Sequence, residues 1–421
     1  MYQSENAGDL LKHKRSALTR IGRKDVAATV LWLGLTSLLT DISSEMVATT
    51  LPLYLILGLR LSPFQYGLVD GLYQSGAILV RLLSGYLADR LRNPKLIATL
   101  GYALSALSRP ALLLAGANLN QLAIVVLSDR IGKGIRTAPR DAMIAGSTPA
   151  AQMATAFGVH RALDTAGAMI GPLLAAAILW LTAQAYDAVF VVSFAFALVG
   201  VAVIATFVRP PAGAAVSATP VTMRNVGGLL TIARFRVLVV GGSLLALTTI
   251  SDSFLYLTLQ AQLQLPQNFF PLLFVGGALV FMLFAIPVGR LADRVGKRLV
   301  FAAGYLLLVI AYGLVWLQIE SLLLVVLVLG LLGLYYAATD GVLNALASVH
   351  LPAHLLSSGL ALLATGLGIG RLFASTLYGW VWNGWGSQAA IGLLAVGMVA
   401  ALAVAWWLMA AAEAETERTG L

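Results

Sequence analysis

The segment Gly85-Tyr-Leu-Ala-Asp89-Arg90 recurs as Gly289-Arg-Leu-Ala-Asp293-Arg294, 204 residues further along the chain. Each copy follows a long apolar segment and opens a short basic connection. Two glycines repeat at nearly the same offset of 201 residues, Gly158 and Gly167 matching Gly359 and Gly368. The chain is therefore predicted to contain two copies of one unit, inserted in the same direction. Parallel repeats about an axis along the membrane normal place a binding site between the two halves.

The composition identifies lipid as the solvent for most of the chain. Of 421 residues, 59% are hydrophobic and 11% are charged, whereas soluble domains carry about 25% charged residues. The chain has no cysteine, which excludes disulfides, thiolate metal sites and a cysteine nucleophile. Its four histidines do not suggest a metal site, and no cofactor is expected.

A membrane-spanning helix needs about 20 mostly apolar residues. Twelve segments meet this requirement: 27–57, 64–88, 95–116, 119–145, 153–181, 186–208, 236–262, 270–288, 298–318, 321–348, 355–382 and 387–411. The predicted fold is an all-α membrane protein with twelve transmembrane helices in two parallel six-helix repeats. We expect an N-terminal tail (1–26), a six-helix bundle (27–208), a linker (209–235), a second six-helix bundle (236–411) and a C-terminal tail (412–421).

The basic residues indicate the orientation. They gather in the N-terminal tail and in alternate connections, whereas the other set of connections holds Arg60 and almost no further Lys or Arg. Because cytoplasmic loops carry the excess of Lys and Arg, both termini are predicted to be cytoplasmic. The first 25 residues are polar and charged, so we expect no signal peptide there. The predicted location is a bacterial-type cytoplasmic (inner) membrane.

The connection after span eight, Gly289 to Arg298, fits in full the loop signature of the major facilitator superfamily, which the chain resembles over nearly all its length. The first-half copy departs from it at Arg92, where the signature has its second glycine. An Asp in such a loop can latch onto a neighbouring helix N-terminus or an Arg in one conformational state. Alternatively, the charges only set topology. The predicted gating residues are Gly85, Asp89, Arg90, Gly289, Asp293, Arg294, Gly296, Lys297 and Arg298.

Span five contains Gly158, Gly167 and Gly171-Pro172, which resemble the antiporter signature of the superfamily, with Ala175 where a further glycine is usual. The resemblance implies exchange, typically export against protons, and adds these four residues to the gating set. Glycines allow close helix packing and a proline bends a spanning helix. Ordinary small-residue packing is the alternative explanation.

Span four places Asp129, Lys133, Arg136 and Arg140 on one helix face, beside Arg130 near mid-bilayer. The superfamily's span-four signature has an arginine at the place of Arg130 and usually a glutamine where Lys133 stands; the dense basic run resembles a prokaryotic subgroup. An ion-pair network at the helix end is the alternative. The predicted substrate-binding residues are Arg130, Lys133, Arg136, Arg161, Asp252 and Arg371.

Asp41 and Glu45 lie four residues apart in span one and share a helix face near mid-bilayer. A carboxylate at that depth must be paired, protonated or in contact with water. We predict that Asp41, Glu45 and Asp164 of span five carry protons, and that Arg130 pairs with a span-one carboxylate when the site is empty. A permanent salt bridge between spans one and four is the alternative.

These features predict a proton-coupled secondary active transporter, working as a monomer in the lipid bilayer. It would export a small organic or metabolite-like solute by alternating access. No phosphate-binding loop, catalytic triad or zinc helix motif is visible, so neither an enzyme nor a nucleic-acid partner is expected. A lipid or lysolipid flippase on the same fold is the main alternative, and a membrane-embedded acyltransferase is a third. The second-half aromatics Phe254, Tyr256, Tyr335, Tyr336 and Phe373 are predicted to serve packing rather than binding.

Overall fold

The computed structural model describes residues 28–91, 93–149, 153–209, 227–352 and 355–419. Within these ranges the chain is helical and contains no strand. The predicted N-terminal tail and most of the predicted linker lie outside the described residues.

The first half consists of six helices, each joined to the next by a short connection. They are α1 (Ala28–Leu53), which a π-helical turn (Tyr54–Gly58) extends, α2 (Pro63–Leu91), α3 (Pro94–Ala115), α4 (Leu119–Gly146), α5 (Met153–Leu181) and α6 (Tyr186–Phe207).

The second half also consists of six helices, preceded by a 3₁₀ turn (Leu229–Thr231). They are α7 (Ala233–Leu247), α8 (Asp252–Gln262), α9 (Phe270–Val295), α10 (Lys297–Trp316), α11 (Leu322–Ser348) and α12 (Leu356–Thr419), with a 3₁₀ turn (Gln267–Phe269) before α9. The helix α12 changes direction at Gly386, whose φ of 86° is accessible mainly to glycine. The element α12 therefore comprises two helical segments that meet at this glycine, next to the boundary predicted between 355–382 and 387–411, and the second segment continues eight residues beyond the predicted end at 411.

Nine helices in the described part of the chain are long and apolar enough to cross a membrane. The pair α7–α8 counts once among them, and so does the 54-residue stretch Ser358–Ala411. The helices α2 and α4 are 29 and 28 residues long but lie outside the nine. The chain is thus a multi-pass α-helical membrane protein, and the count of twelve spans stays a prediction.

The predicted seventh span, 236–262, is not one helix but two. Between α7 and α8, Thr248 and Thr249 donate their hydroxyls back to the Leu245 carbonyl, at 3.0 and 2.8 Å. The backbone N–H of Ile250 instead donates to the hydroxyl of Tyr312 at 2.8 Å. A run of β-branched and hydroxyl residues has low helix propensity and offers such alternative bonds. The break places Asp252 in the first turn of α8, where the helix dipole stabilises a carboxylate.

Packing within the first half recurs in the second. The helix α1 packs on α5, α3 on α4, and α2 on α4; correspondingly, α7 packs on α12, α10 on α11, and α9 on α11. Gly167 and Gly171 bring α5 against the backbone of α1, at Leu38 and Ile42. These two glycines of the predicted antiporter signature therefore serve close packing, whereas Gly158 has open space around it.

The two halves meet mainly through α2 and α12, close to the end of the bundle where α1 ends and α2 begins, which we call the far end. There Gly67 lies directly against the Ser375 carbonyl and the Cα of Gly379. The Tyr66 and Phe254 rings are 4.7 Å apart in an edge-to-face contact between the halves, and the Tyr186 hydroxyl donates to the Gln267 side-chain oxygen at 2.5 Å. The halves are closed at this end.

At the opposite end, where α9 ends and α10 begins and which we call the basic end, most residues of α9 after Gly277 are exposed. Ala292 is the one buried residue between Gly277 and the end of α9 among those the structure describes. A helix that faced lipid on one side would still bury the other side against its neighbours. The facing part of α5 is similarly open, with the Arg161 side chain 80% exposed. An opening therefore runs from the basic end toward the middle of the bundle.

Candidate functional site

A closed ion-pair network occupies the core of the first half. Asp129 of α4 accepts hydrogen bonds from Arg109 and from the Ser105 hydroxyl of α3, both at 2.5 Å. Arg109 is 1% exposed and also donates to Ser43 and Ser44 of α1, at 3.2 and 2.9 Å. This network joins α1, α3 and α4. The sequence places Asp129 on the charged face of span four but does not pair it with Arg109, because nothing in the spacing indicates which α3 residue faces Asp129.

Arg130 pairs with Asp129 rather than with a carboxylate of α1, so the predicted partner is wrong in this conformation. Its Nε donates to Asp129 Oδ2 at 3.0 Å, and its guanidinium carbon lies 3.7 Å from the centre of the Tyr73 ring. Asp129 already compensates the charge from the neighbouring position. Arg130 is therefore held between α4 and α2.

Asp41 faces the other basic residues of α4. Its Oδ1 lies 3.8 Å from a terminal nitrogen of Arg136, and its side chain is 13% exposed. The Asp41 and Asp164 carboxyl groups are also in contact. Asp164 in turn lies 3.9 Å from Arg140 and 3.2 Å from Arg161. Two of the three predicted proton carriers are thus brought together between α1, α4 and α5.

Glu45 and Lys133 lie one turn beyond this cluster and have no such partners. The two groups are close enough for their charges to interact. Among the described residues, however, neither side chain forms a hydrogen bond or an ion pair within 4 Å. Glu45 is half-buried, and Gly171 of α5 packs against its Cβ. The two groups are thus a carboxylate and an ammonium available to a proton or a solute.

The second half contributes three adjoining cavities around Tyr336, of about 230, 110 and 180 Å³. The Tyr336 hydroxyl contacts both carboxylate oxygens of Asp252 at 2.9 Å. Arg371 lines the second and third cavities, and Gln74 of α2 reaches the second from the first half. The predicted substrate-binding residues Asp252 and Arg371 therefore border one space between the halves.

The aromatic residues that the sequence assigns to packing divide into three groups. Tyr256, Tyr335 and Tyr336 line the cavities. Phe254 is buried between the halves, against the rings of Tyr66, Tyr378 and Trp382, whereas Phe373 is 58% exposed on the outer surface. Their sequence positions alone do not separate these environments, because all five lie in apolar segments.

In the predicted gating loop after α9, the contacts seen among the described residues lie within the second half. Asp293 forms an ion pair with Lys297 at 2.9 Å and is 68% exposed. The loop turns at Gly296, where φ is 106°, and Arg298 stacks over Trp406 at 3.9 Å. The side chains of Gly85, Asp89 and Arg90 lie outside the described part of the structure. Among the described residues Asp293 therefore pairs within its own loop, and its role as a latch stays a prediction.

Sequence reasoning missed Asp70 of α2, a buried carboxylate at the contact between the halves. Ser375 of α12 donates its hydroxyl to Asp70 Oδ2 at 2.5 Å, and Ser251 and Tyr66 are also in hydrogen-bonding contact with it. The signal was present: an acidic residue seven positions into a predicted span merits the same attention as Asp41.

The model of the Major Facilitator Superfamily matches residues 33–258 and 237–420. The chain belongs to the major facilitator superfamily. An uncharacterized transporter of this superfamily type from Methanocaldococcus jannaschii is 30% identical over 370 residues, which cover 86% of the chain and 90% of the relative. An uncharacterized protein of Mycobacterium tuberculosis is 35% identical over 174 residues, 40% of the chain and 42% of the relative.

Solved transporters of the major facilitator superfamily share the fold at low identity. The nucleoside transporter NupG superposes with a TM-score of 0.78 at 15% identity, covering 91% of this chain and 99% of NupG. A D-xylose–proton symporter gives 0.69 at 15% identity, covering 90% and 96%. The protein is thus a membrane-embedded transporter of a small molecule, and the prediction that it is not an enzyme is confirmed.

Proposed function

We propose that this transporter is proton-coupled and exports a small organic or metabolite-like solute by alternating access. The observation that carries the proposal is the state of the α1 carboxylates. Asp41 stands between a cation and a second carboxyl group, and Glu45 has no cation within 4 Å in the described part of the chain. Both lie toward the middle of a membrane-embedded bundle.

Two carboxyl groups in contact repel each other when both are ionised, so a proton shared by Asp41 and Asp164 relieves the repulsion. Arg136, Arg140 and Arg161 oppose that protonation by stabilising the negative charge. A solute that approaches these cations or Lys133 changes the balance, and it thereby links solute movement to proton movement. Glu45, one turn away, completes the proton pathway.

The proposed direction rests on two features. If the distribution of Lys and Arg sets the topology, the basic end is cytoplasmic, and the opening from that end admits solute from the cytoplasm. The resemblance of Gly158, Gly167 and Gly171-Pro172 to the antiporter signature favours exchange against protons. Twelve spans in two parallel repeats are proposed as the framework, with packing pairs that recur between the halves.

The flippase alternative is less well supported by the cavities. The three cavities around Tyr336 have volumes of about 230, 110 and 180 Å³, and each is below the range of about 300–1,000 Å³ usual for drug-sized ligands. Such volumes suit a small polar solute better than a lipid with its acyl chains.

The proposal can be tested with everted membrane vesicles from cells that produce the protein. The vesicles are given an acidic interior and a filtered extract of cellular metabolites, and mass spectrometry measures what accumulates. We expect one solute or a few related solutes to accumulate in vesicles with the wild-type protein, and a protonophore to abolish the accumulation. Asp41→Asn and Glu45→Gln should abolish it too, whereas Glu320→Gln, in an exposed far-end connection, should not. Accumulation that persists in both α1 variants contradicts the proposal.

A further inference from the structure

The cavities around Tyr336 contain two opposite charges that do not neutralise each other. Asp252 is contacted by a neutral hydroxyl, that of Tyr336. No carboxylate of the described residues lies within 4 Å of the Arg371 guanidinium, although Asp252 and Asp340 contribute to its electrostatic surroundings. Asp252 and Arg371 nevertheless line the same cavity of about 110 Å³.

Opposite charges in a membrane protein normally pair, because an isolated charge there is costly. Here two features hold them apart. The break between α7 and α8 fixes Asp252 in the first turn of α8, and the Tyr336 hydroxyl spans both of its oxygens. Arg371 is on α12 and also lines the neighbouring cavity of about 180 Å³, together with Tyr305 and Tyr335. The space between the two charges is accessible to a ligand.

A ligand with one charge satisfies half of this arrangement. A cation would neutralise Asp252 and leave Arg371 without a partner, whereas an anion would do the reverse. Asp340 adds a second carboxylate in the two neighbouring cavities, but it is exposed, so water screens its charge. The remaining walls are aromatic, with Tyr256 and Phe274 in edge-to-face contact at 4.8 Å, and such walls also favour an ammonium group.

We propose that the solute is a small zwitterion of the amino-acid type, whose ammonium group binds at Asp252 and whose carboxylate binds at Arg371. The proposal rests on the transport function proposed above, and it adds the substrate class. The α-substituent of the solute would lie against Tyr256, Phe274 and Phe281, which line the cavity of about 230 Å³.

The test uses ligand sets that share a side chain and differ in which charged groups they carry. Each set contains an amino acid, the amine that lacks its carboxylate and the acid that lacks its amino group; L-phenylalanine, phenethylamine and 3-phenylpropionate form one set, and sets built on alanine, leucine and tyrosine extend it. Thermal unfolding of the purified protein in detergent gives an apparent affinity for each compound from its concentration dependence. We expect at least one amino acid to bind better than both of its singly charged counterparts. The proposal is overturned if no amino acid does so.

Two charge-removing variants test the assigned contacts. Arg371→Gln should weaken amino-acid binding at least about tenfold, because one member of a desolvated charge pair is lost, while amine binding is retained. Asp252→Asn should show the opposite preference and retain acid binding. If Arg371→Gln unfolds without ligand at a much lower temperature than the wild-type protein, Arg371→Lys replaces it and should keep the amino-acid preference. An unchanged order of preference in the charge-removing variants overturns the assignment.

These measurements use no proton gradient, so their outcome is independent of coupling. Amino-acid binding without proton-driven accumulation would refute the proposed function and leave this inference standing. Proton-driven accumulation only of solutes that carry a single charge would support the proposed function and refute this inference.

Discussion

Replacing Asp129 with asparagine should strongly destabilise the protein, because this carboxylate compensates two buried arginines. Asp129 accepts from Arg109 and Ser105 at 2.5 Å and also pairs with Arg130. The substitution preserves the shape of the side chain and removes its charge. Arg109, which is 1% exposed, then keeps only neutral oxygen partners on α1 and α3.

The expected cost is about 3–5 kcal/mol, the range for breaking a buried ion pair by removing one member. Arg130 retains its stacking on Tyr73 at 3.7 Å and moderates the loss. The matched control is Asp141→Asn, which removes the partner of Arg140 at 2.9 Å from a side chain that is 42% exposed. Because Asp141 is exposed and Arg140 keeps Asp164 at 3.9 Å, this loss should be close to the about 0.2–1 kcal/mol of an exposed pair.

The measurement is thermal unfolding of the purified variants in one detergent, with a double variant that also carries Arg109→Gln. The double variant should lose less than the sum of the two single losses, because the two residues share one interaction. The reasoning is refuted if Asp129→Asn unfolds at the same temperature as Asp141→Asn, or if the two losses add.

Two further predictions concern the change between conformations, and single introduced cysteines can report it because the chain has none of its own. Gly67→Val places side-chain atoms against the α12 backbone, so it should open the far end and increase labelling of Ala48→Cys by an impermeant maleimide. The control Gly330→Ala, at a glycine with open space around it, should leave this labelling unchanged. Equal labelling in the two variants would contradict the closed far end. Asp293→Asn loses one exposed ion pair, with Lys297 across the turn at Gly296, so the free energy of unfolding should change by less than about 1 kcal/mol. If Asp293 stabilises the conformation that is open at the far end, Asp293→Asn should increase the labelling of Asn344→Cys and decrease that of Ala48→Cys. No change at either position would leave Asp293 only a role in setting the topology.

The helix positions could be predicted because hydrocarbon thickness fixes the length of a spanning segment. The broken seventh span could not, because Thr248 to Ser251 barely changes the average hydropathy of a window that is otherwise apolar. The break depends on a tertiary contact, the bond from Ile250 to Tyr312. The helix α4 was found despite its charges because its polar residues repeat on one face.

The site was predictable in part for the same reason. Charges within spans are costly, so Asp41, Glu45, Asp252 and Arg371 stand out by their depth alone. Their ion-pair partners do not stand out in this way, because the rotation and depth of the neighbouring helices determine which side chains meet. Arg130 pairs with the adjacent Asp129 rather than with α1, and this outcome requires the position of α3 as well as that of α4.

Solute exchange in reconstituted vesicles tests the central claim, that Glu45 couples solute movement to protons. Once the vesicle screen identifies a solute, two activities of one preparation are compared: accumulation driven by a pH gradient, and exchange of labelled for unlabelled solute without a gradient. Glu45→Gln should lose the accumulation and retain the exchange. Exchange moves one solute molecule out for each one in, so it requires no net proton transfer. Wild-type accumulation in the glutamine variant would contradict the account.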